Sequence, residues 1–547
     1  MKPKFSLIAP INGKVTANDL QLPLQDWSWE IGPDICELRG GKSFIRWRRF
    51  PYPETFIETL GGVVVGGYKD PGMDSDTANA PLDSEFLLFE IDTKCGQFRM
   101  KADAVRSMPV CYCLHKGILY FSYTLVDLLK ISHLPIKYNL PVLAESLLLK
   151  TRYNNQSILE HIYYLTEREE LKWSGESRVH NKLPSSRVEV AIQEIDDQSV
   201  ITKFTELLDK TVKRKLSLMR DVKICTELSG GLDSAIITQA LINAGVASPL
   251  VTFSKILPDV QKINQINRLR AFAEVFPCEL NFIDLADKYP LADLTSIRDI
   301  ITPFDPTLEP YRLGAMTTAE QVREKGCRVL FSGMGGDELL ERSAMQDTGF
   351  QGQLEAEIRQ RWVIPNFFTE KVHQAFLAKE NIYQSQRVPF FTHSVMRSSQ
   401  VKNPFFLERG IWPVAVLANS ELVNFCRSLP DTFLKRKRII RMYQQQAGFP
   451  EAFYNNITKD SMYLLHRKCL EANPDFILEL FAKSRLAQLG LVDKNQLTED
   501  YQQYLQDIKL QGRVREYFYE IIAQEIFLIS EEVPYEHRKT APVTTAV

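Results

Sequence analysis

The stretch Val222-Lys-Ile-Cys-Thr-Glu-Leu-Ser-Gly-Gly-Leu-Asp-Ser234 decides the fold. Val222 to Leu228 reads as a short strand and Ser234 to Ala244 as a helix, with Ser229-Gly-Gly-Leu-Asp-Ser234 joining them. Upstream, Phe204, Leu207, Leu208, Val212 and Leu216 form one apolar stripe, so Thr202 to Met219 reads as a helix. Downstream, strands and helices alternate: Leu250 to Ser254, Asn264 to Phe276, Glu279 to Leu285, Ala315 to Lys325, Cys327 to Phe331. That alternation predicts a parallel, doubly wound α/β sheet with helices on both faces. Beyond Gln351 the pattern is mostly helical, interrupted from Pro389 to Pro413.

Ligands of such sheets bind at the carboxyl ends of strands, where this joining loop lies. Gly230 and Gly231 permit close backbone approach, and the helix start offers N–H groups to an anion. Ser229 and Ser234 add hydroxyls, and Asp233 is a hard oxygen ligand of the kind Mg²⁺ takes. The loop suits pyrophosphate with a metal. It is not a P-loop, because G-x-x-x-x-G-K-[ST] is absent. A second loop, Ser332-Gly-Met-Gly-Gly-Asp-Glu338, also follows a predicted strand. Alone it is a common glycine-rich turn. In the same α/β block it offers Gly333 and Met334 to a nucleotide and Asp337 as a second metal ligand.

Composition narrows the class. At ~100–200 residues per domain, 547 residues make two to four domains. Apolar residues at 44% and charged residues at 24% exclude a wholly disordered or fibrous chain. Lys+Arg at 66 against Asp+Glu at 68 gives net charge −2, with no electrostatic footprint for nucleic acid. No apolar run approaches the ~20 residues of a membrane helix, and the first residues lack a signal-peptide pattern, so a cytoplasmic protein without membrane partners is expected. Cys111 and Cys113 form C-x-C without a second pair at zinc spacing; one strand face would hold both as buried free thiols. The eight histidines follow no metal-binding pattern.

Residues 1–190 read as β-rich, with strands at Gly61 to Tyr68, Glu85 to Ile91 and Gln97 to Ala102. Pro109 to Tyr123 reads as two strands turning at His115-Lys-Gly117; helices start at Leu125 and Leu143. Residues 180–200 are polar and read as a linker or an edge strand, so a second domain runs from 199 to 547.

With these motifs in hand, the chain resembles a known family. Ser229 to Ser234 resembles the pyrophosphate loop of the N-type ATP pyrophosphatases, and Gly333-Met-Gly-Gly-Asp-Glu338 resembles the G-x-G-x-D-E segment of their asparagine synthetase class. Phe86 to Leu129, including Gly117-Ile-Leu-Tyr-Phe-Ser122, is similar to the core of the glutaminase-like (Ntn-type) N-terminal domain. Asn403-Pro-Phe-Phe-Leu-Glu408 is similar to a P-F-L-D turn, Lys437-Arg-Ile-Ile-Arg441 to K-x-L-L-R, and Lys459 falls where the class keeps a basic residue. The resemblance implies a glutaminase-like domain over 1–190 and an ATP-pyrophosphatase synthetase domain over 199–547.

Three departures refine that implication. A working glutaminase domain has cysteine after the initiator methionine, where this chain has Lys2 and Pro3; the first cysteine is Cys36. Glutamine hydrolysis is not expected. The resemblance then points to relatives that use a substrate's own amine: β-lactam and carbapenam synthetases and lasso-peptide macrolactam synthetases. Met334 stands where ammonia users resemble Glu and β-lactam formers Tyr, and a methionine transfers no proton. Glu370 is the distant carboxylate nominated instead. Between Asp259 and Phe272 the family carries an acidic residue where this chain has Ile266 and Asn267.

The reaction implied is adenylation of a carboxylate by ATP, then attack by an amine, in natural-product biosynthesis. Leu228, Ser229, Gly230, Gly231, Asp233, Ser234, Gly333 and Met334 would hold the nucleotide, with Phe253 and Ser254 lining the adenine. Asp233 and Asp337 would hold Mg²⁺, Lys437 would meet pyrophosphate and Lys459 the oxyanion. Lys437 lies in the run Lys435-Arg-Lys-Arg438, which a solvated face also explains. Lys459 reads equally as a surface lysine, Phe253 as core and Trp412 as a core anchor. Expected partners are a small-molecule or peptide carboxylate and amine, with a homodimer or pathway protein left open. A retired nucleotide-binding scaffold is the competing reading.

Overall fold

The computed structural model describes residues 27–532 with breaks, the longer at 74–83, 149–154, 183–193, 296–305, 341–363, 376–392, 456–462 and 507–513, the others of one to three residues. The N-terminal part holds β1 (Trp27–Ile31), β2 (Ile35–Gly40), β3 (Ser43–Arg48), β4 (Glu54–Leu60), β5 (Val63–Lys69), β6 (Phe86–Asp92), β7 (Gln97–Ala102), β8 (Val110–His115), β9 (Ile118–Ser122), β10 (Ile162–Leu165), β11 (Glu169–Trp173) and β12 (Arg178–Lys182). A six-stranded antiparallel sheet runs β12-β11-β7-β6-β5-β4; two three-stranded groups run β1-β2-β3 and β10-β8-β9. Strict alternation along β7 buries Phe98, Met100 and Ala102. Phe98 stacks on Phe121 of β9 at 5.6 Å and Trp47 of β3 meets Phe89 of β6 edge-on at 5.0 Å, so the groups pack face to face. Lys116 (φ 51°) and Gly117 (φ 75°) close the β8–β9 hairpin, the pair of positive φ angles that a two-residue turn demands. Helices α1 (Leu125–Ser132) and α2 (Leu140–Ser146) follow. Cys111 and Cys113 are buried free thiols.

From α3 (Asp197–Ser217) the architecture changes. The chain continues through β13 (Ile224–Glu227), α4 (Leu232–Asn243), β14 (Leu250–Ile256), α5 (Val260–Val275), β15 (Cys278–Asp284), α6 (Arg312–Glu324), β16 (Val329–Ser332), the short α7 (Gly336–Leu339), α8 (His393–Leu407) and β17 (Trp412–Ala415). The five strands form a parallel sheet in the order β15-β14-β13-β16-β17. Successive residues feed opposite cores. Ile224, Val329 and Phe331 pack with Ile236 of α4 and Leu269 of α5. Cys225, Val251, Phe253 and Leu330 pack with Val322 of α6 and Phe406 of α8. Both faces of the central strands are therefore covered, which is why β14 and β16 are buried along nearly their whole length, whereas the edge strand β15 keeps Glu279, Asn281 and Asp284. Then come α9 (Ser420–Ser428), α10 (Arg438–Gln446), α11 (Tyr463–Ala472), α12 (Pro474–Ala482), α13 (Lys494–Gln506) and α14 (Val514–Glu532). Among the described residues no helix is long and apolar enough to cross a membrane.

Two expectations are corrected. The Pro389 to Pro413 interruption contains α8 and the start of β17, and Asn403 to Leu407 is the end of a helix rather than a turn. Pro404 inside α8 costs ~3 kcal/mol, but Phe405, Phe406 and Leu407 are each at least 96% buried, and each such side chain contributes ~1.5–3 kcal/mol. Pro413 is tolerated because β17 is an edge strand, where a missing N–H leaves no ladder bond broken.

Candidate functional site

The strand order places β13 at the centre of the sheet, with β14 and β16 on either side. The chain first winds outward from β13 to β15, then returns to β16 and winds the other way. The crevice between β13 and β16 is the topological switch point, where doubly wound sheets bind ligands. Both glycine loops leave the sheet there and pack directly on one another. A Cβ on Gly333 would fall 2.5 Å from Ser234 N and 2.8 Å from Asp233 C, and one on Gly336 would overlap the Asp233 carboxylate. Glycine at both positions is what lets the second loop seat on the first.

The first loop is organised by its own serines. Ser234 Oγ accepts from Ser229 N at 3.0 Å and lies 3.0 Å from Ser229 Oγ, which accepts from Gly231 N at 3.2 Å. Gly230 takes φ 79°, and Gly231 caps α4 in an extended conformation, so the helix starts at Leu232 with Asp233 in its first turn. Two residues of α5 clamp the loop from the side. Gln265 Nε2 donates to Ser229 O at 2.7 Å and to Lys255 O at 2.9 Å, while its Oε1 accepts from Leu257 N at 2.9 Å. Arg268 Nε donates to Gly230 O at 3.1 Å. Sequence reasoning missed both, since neither spacing nor residue type marks them. It also missed Glu227, whose carboxylate pairs with Lys255 beneath the loop. Burial alone would raise the Glu227 pKa; Lys255 outweighs it and keeps the group charged.

Lys437 ties the loops together. Its Nζ lies 2.5 Å from Asp233 Oδ2 in the first loop and 2.8 Å from Asp337 Oδ1 in the second. Burial alone would lower its pKa, but the two carboxylates dominate and the net shift is upward, so the side chain is a fixed cation. Arg436 (φ 52°) and Lys437 (φ 55°) are both left-handed, an arrangement costing ~1–2 kcal/mol per residue. The following helix α10 is held against α4 by Tyr443 OH to Gln239 and by Gln444 Nε2 to Leu232 O at 3.2 Å. Thus Lys437 sits on a docked helix through backbone a lysine adopts reluctantly. Two carboxylates facing one cation form the hard oxygen set that Mg²⁺ takes when substrate phosphates complete its shell, so the residues present fit that ion. Among the described residues no group of three or more His, Cys, Asp or Glu converges as a metal site.

The remaining predicted residues divide. Leu228 and Ser254 are fully buried, and Ser254 Oγ donates to Leu228 O at 2.6 Å, supporting the loop from beneath. Phe253 is 2% exposed in the apolar layer under α6; its ring is core because both faces of β14 are covered, and only its carbonyl serves the loop, accepting from Leu228 N at 2.9 Å. Met334 is half-buried between Gly333 and Gly335. Glu370 is exposed and accepts from Gln374 at 3.2 Å. Its neighbour Thr369 is tied to Gly490 O at 2.8 Å, so Glu370 lies beside the C-terminal helices. Lys459, Lys2 and Pro3 lie outside the described residues.

Residues 203–399, which carry both glycine loops, match the family described as asparagine synthase. Over this block, from α3 to α8, the chain is similar to that family. No curated protein matches the sequence. Among solved structures, the chain is similar to a U34-tRNA thiolase, NcsA, from Methanococcus maripaludis, with 14% identity over 58% of this chain and 85% of that one and a TM-score of 0.26. It is also similar to an NH3-dependent NAD synthetase from Campylobacter jejuni, with 14% identity over 40% of this chain and 99% of that one and a TM-score of 0.18.

Proposed function

We propose that the chain adenylates a carboxylate with ATP, releasing pyrophosphate, and then couples the acyl group to an amine supplied by the substrate, releasing AMP. The observation that carries this reading is Lys437 bonded to Asp233 and Asp337 at once, one from each glycine loop, at the switch point. The start of α4 presents backbone N–H groups and the positive end of its dipole to phosphate oxygens. Gly230 and Gly231 leave room for them. Asp233 and Asp337 would hold Mg²⁺, which supplies charge neutralisation on the phosphates. Lys437, released from its carboxylates, would then balance charge on the departing pyrophosphate. The carboxylate oxygen attacks the α-phosphorus and the bond to pyrophosphate breaks. Both steps depend on charge placement more than on covalent chemistry, so positioned cations and N–H groups supply most of the catalysis.

We read the antiparallel N-terminal layers as a glutaminase-like domain that no longer feeds ammonia to the site. We take the amine to be the substrate's own, as in small-molecule cyclases or peptide macrolactam synthetases of natural-product pathways; Met334, in place of an acid or a phenol, supplies no base for it. The test is product analysis across a panel of carboxylates with Mg²⁺ and ATP. AMP and pyrophosphate are expected with the right carboxylate. ADP and inorganic phosphate would overturn the reading.

A further inference from the structure

Lys437 stands where its local backbone opposes it. It is the N-cap of α10, left-handed at φ 55° directly after Arg436 at φ 52°, and the helix start has no side-chain cap. A cation there also faces the positive end of the helix dipole. The turn is nevertheless held: Arg441 Nε donates to Arg436 O at 2.9 Å, and Tyr443 and Gln444 dock α10 on α4. Of the run Lys435 to Arg438, Lys435 and Arg436 are exposed and Arg438 pairs with Asp197 at 2.6 Å, so Lys437 is the member turned toward the loops. Its Nζ sits between the carboxylates that the two loops bring together, 2.5 Å from Asp233 and 2.8 Å from Asp337. An ion at the ~2.1 Å metal–oxygen distance from Asp233 Oδ2 lies within about 5 Å of that ammonium wherever it sits. Like charges that close repel, and in a half-buried site water screens the repulsion only in part.

We propose that Lys437 is a built-in counter-ion, which keeps a divalent cation off Asp233 and Asp337 until nucleotide phosphates draw its ammonium away. The proposal rests on the adenylation reading for the nucleotide and deepens it, by making metal binding and nucleotide binding interdependent. The backbone at 436–437 is tied down, so the exchange is a swing of the lysine side chain from carboxylate to phosphate oxygens. A bare divalent ion must drive the ammonium off both carboxylates with no anion to receive it. Phosphates that arrive with the ion supply anionic oxygens in its place. Nucleotide therefore raises the affinity for metal, and by linkage metal raises the affinity for nucleotide by the same factor. When pyrophosphate departs with its metal, Lys437 returns to the two carboxylates and again neutralises part of their charge.

The test follows Mn²⁺ binding to the full chain by electron paramagnetic resonance, with and without α,β-methylene-ATP, whose α–β bridge is not cleaved. Without nucleotide, Lys437→Met should bind Mn²⁺ about 10-fold more tightly than the wild type, or better. Lys437→Gln, polar and close in length, should show the same gain and serves if Lys437→Met does not fold. Adding Asp233→Asn to either variant should abolish the gain. With nucleotide, the wild-type affinity for Mn²⁺ should rise about 10-fold or more, and the rise should be several-fold smaller in Lys437→Met. A lysine that merely stapled the loops together would act in the opposite sense, since its removal would loosen the two carboxylates and weaken metal binding. Unchanged or weaker Mn²⁺ binding in the folded variants without nucleotide, or a gain that survives Asp233→Asn, would therefore overturn the proposal. If the gain is seen but nucleotide alters Mn²⁺ affinity in neither protein, the adenylation reading fails and the exclusion of bare metal stands.

Discussion

Lys437 and the glycines around Asp233 show how much of the site rests on single residues. Because a side chain on Gly336 would overlap the Asp233 carboxylate, Gly336→Ala should push Asp233 off Lys437 while leaving the buried sheet intact. The expected outcome is loss of ATP binding with an unchanged far-ultraviolet circular dichroism spectrum; unaltered binding would show that the loops need not touch. Lys437→Met keeps the length and removes the charge. Pyrophosphate release should fall about 100-fold or more, in keeping with the loss of one preorganised charge. Asp233, Asp337 and Lys437 were all legible in the sequence, because their chemistry is written in residue type and motif. Gln265 and Arg268 were not: a glutamine and an arginine on a mostly polar helix announce nothing until the helix is docked beside the loop.

At the scale of elements, α5 acts as the clamp that keeps the first loop in shape. Gln265→Ala would strand the buried Leu257 N–H and release two carbonyls, at about 1–3 kcal/mol for each group left unsatisfied. Thermal unfolding should occur at a lower temperature, and nucleotide affinity should fall with it even though residue 265 is not expected to touch the nucleotide. An unchanged melting temperature would contradict the clamp. Strands buried on both faces, such as β14, and the β8–β9 hairpin were readable from apolar runs and from Lys116-Gly117. The α8 to β17 segment was not, because Pro404 and Pro413 are ordinarily read as breakers. Their tolerance depends on tertiary facts, the burial of Phe405 to Leu407 and the edge position of β17.

Across the whole molecule, the N-terminal layers and the parallel sheet share one buried junction. Trp412, fully buried at the start of β17, packs on Phe50 at 5.2 Å and on Tyr68 at 5.8 Å and bonds Glu85. The same junction predicts a pH dependence. Burial, and then the nearby Glu85 charge, push Asp103 up to about 7. The unfolded chain releases that proton near ~3.9, so between ~4 and ~7 the folded state binds more protons than the unfolded one. Stability from this group is complete below that range and is lost as pH rises through it. Melting temperature should therefore drop between pH 5 and pH 8, and the drop should shrink in Asp103→Asn. The junction was invisible in the sequence, where Glu85, Lys215 and Trp412 are far apart and none belongs to a motif. The central claim, that the two glycine loops form one site for ATP with a metal, is tested most directly by titrating ATP into the protein with and without Mg²⁺, in the wild type, Asp233→Asn and Asp337→Asn. The account predicts Mg²⁺-dependent binding that both substitutions weaken. The loss should be larger at Asp233, whose side chain is 19% exposed, than at Asp337, at 57%, because solvent screens the more exposed charge. Binding of equal strength in all three proteins, or binding indifferent to Mg²⁺, would contradict it.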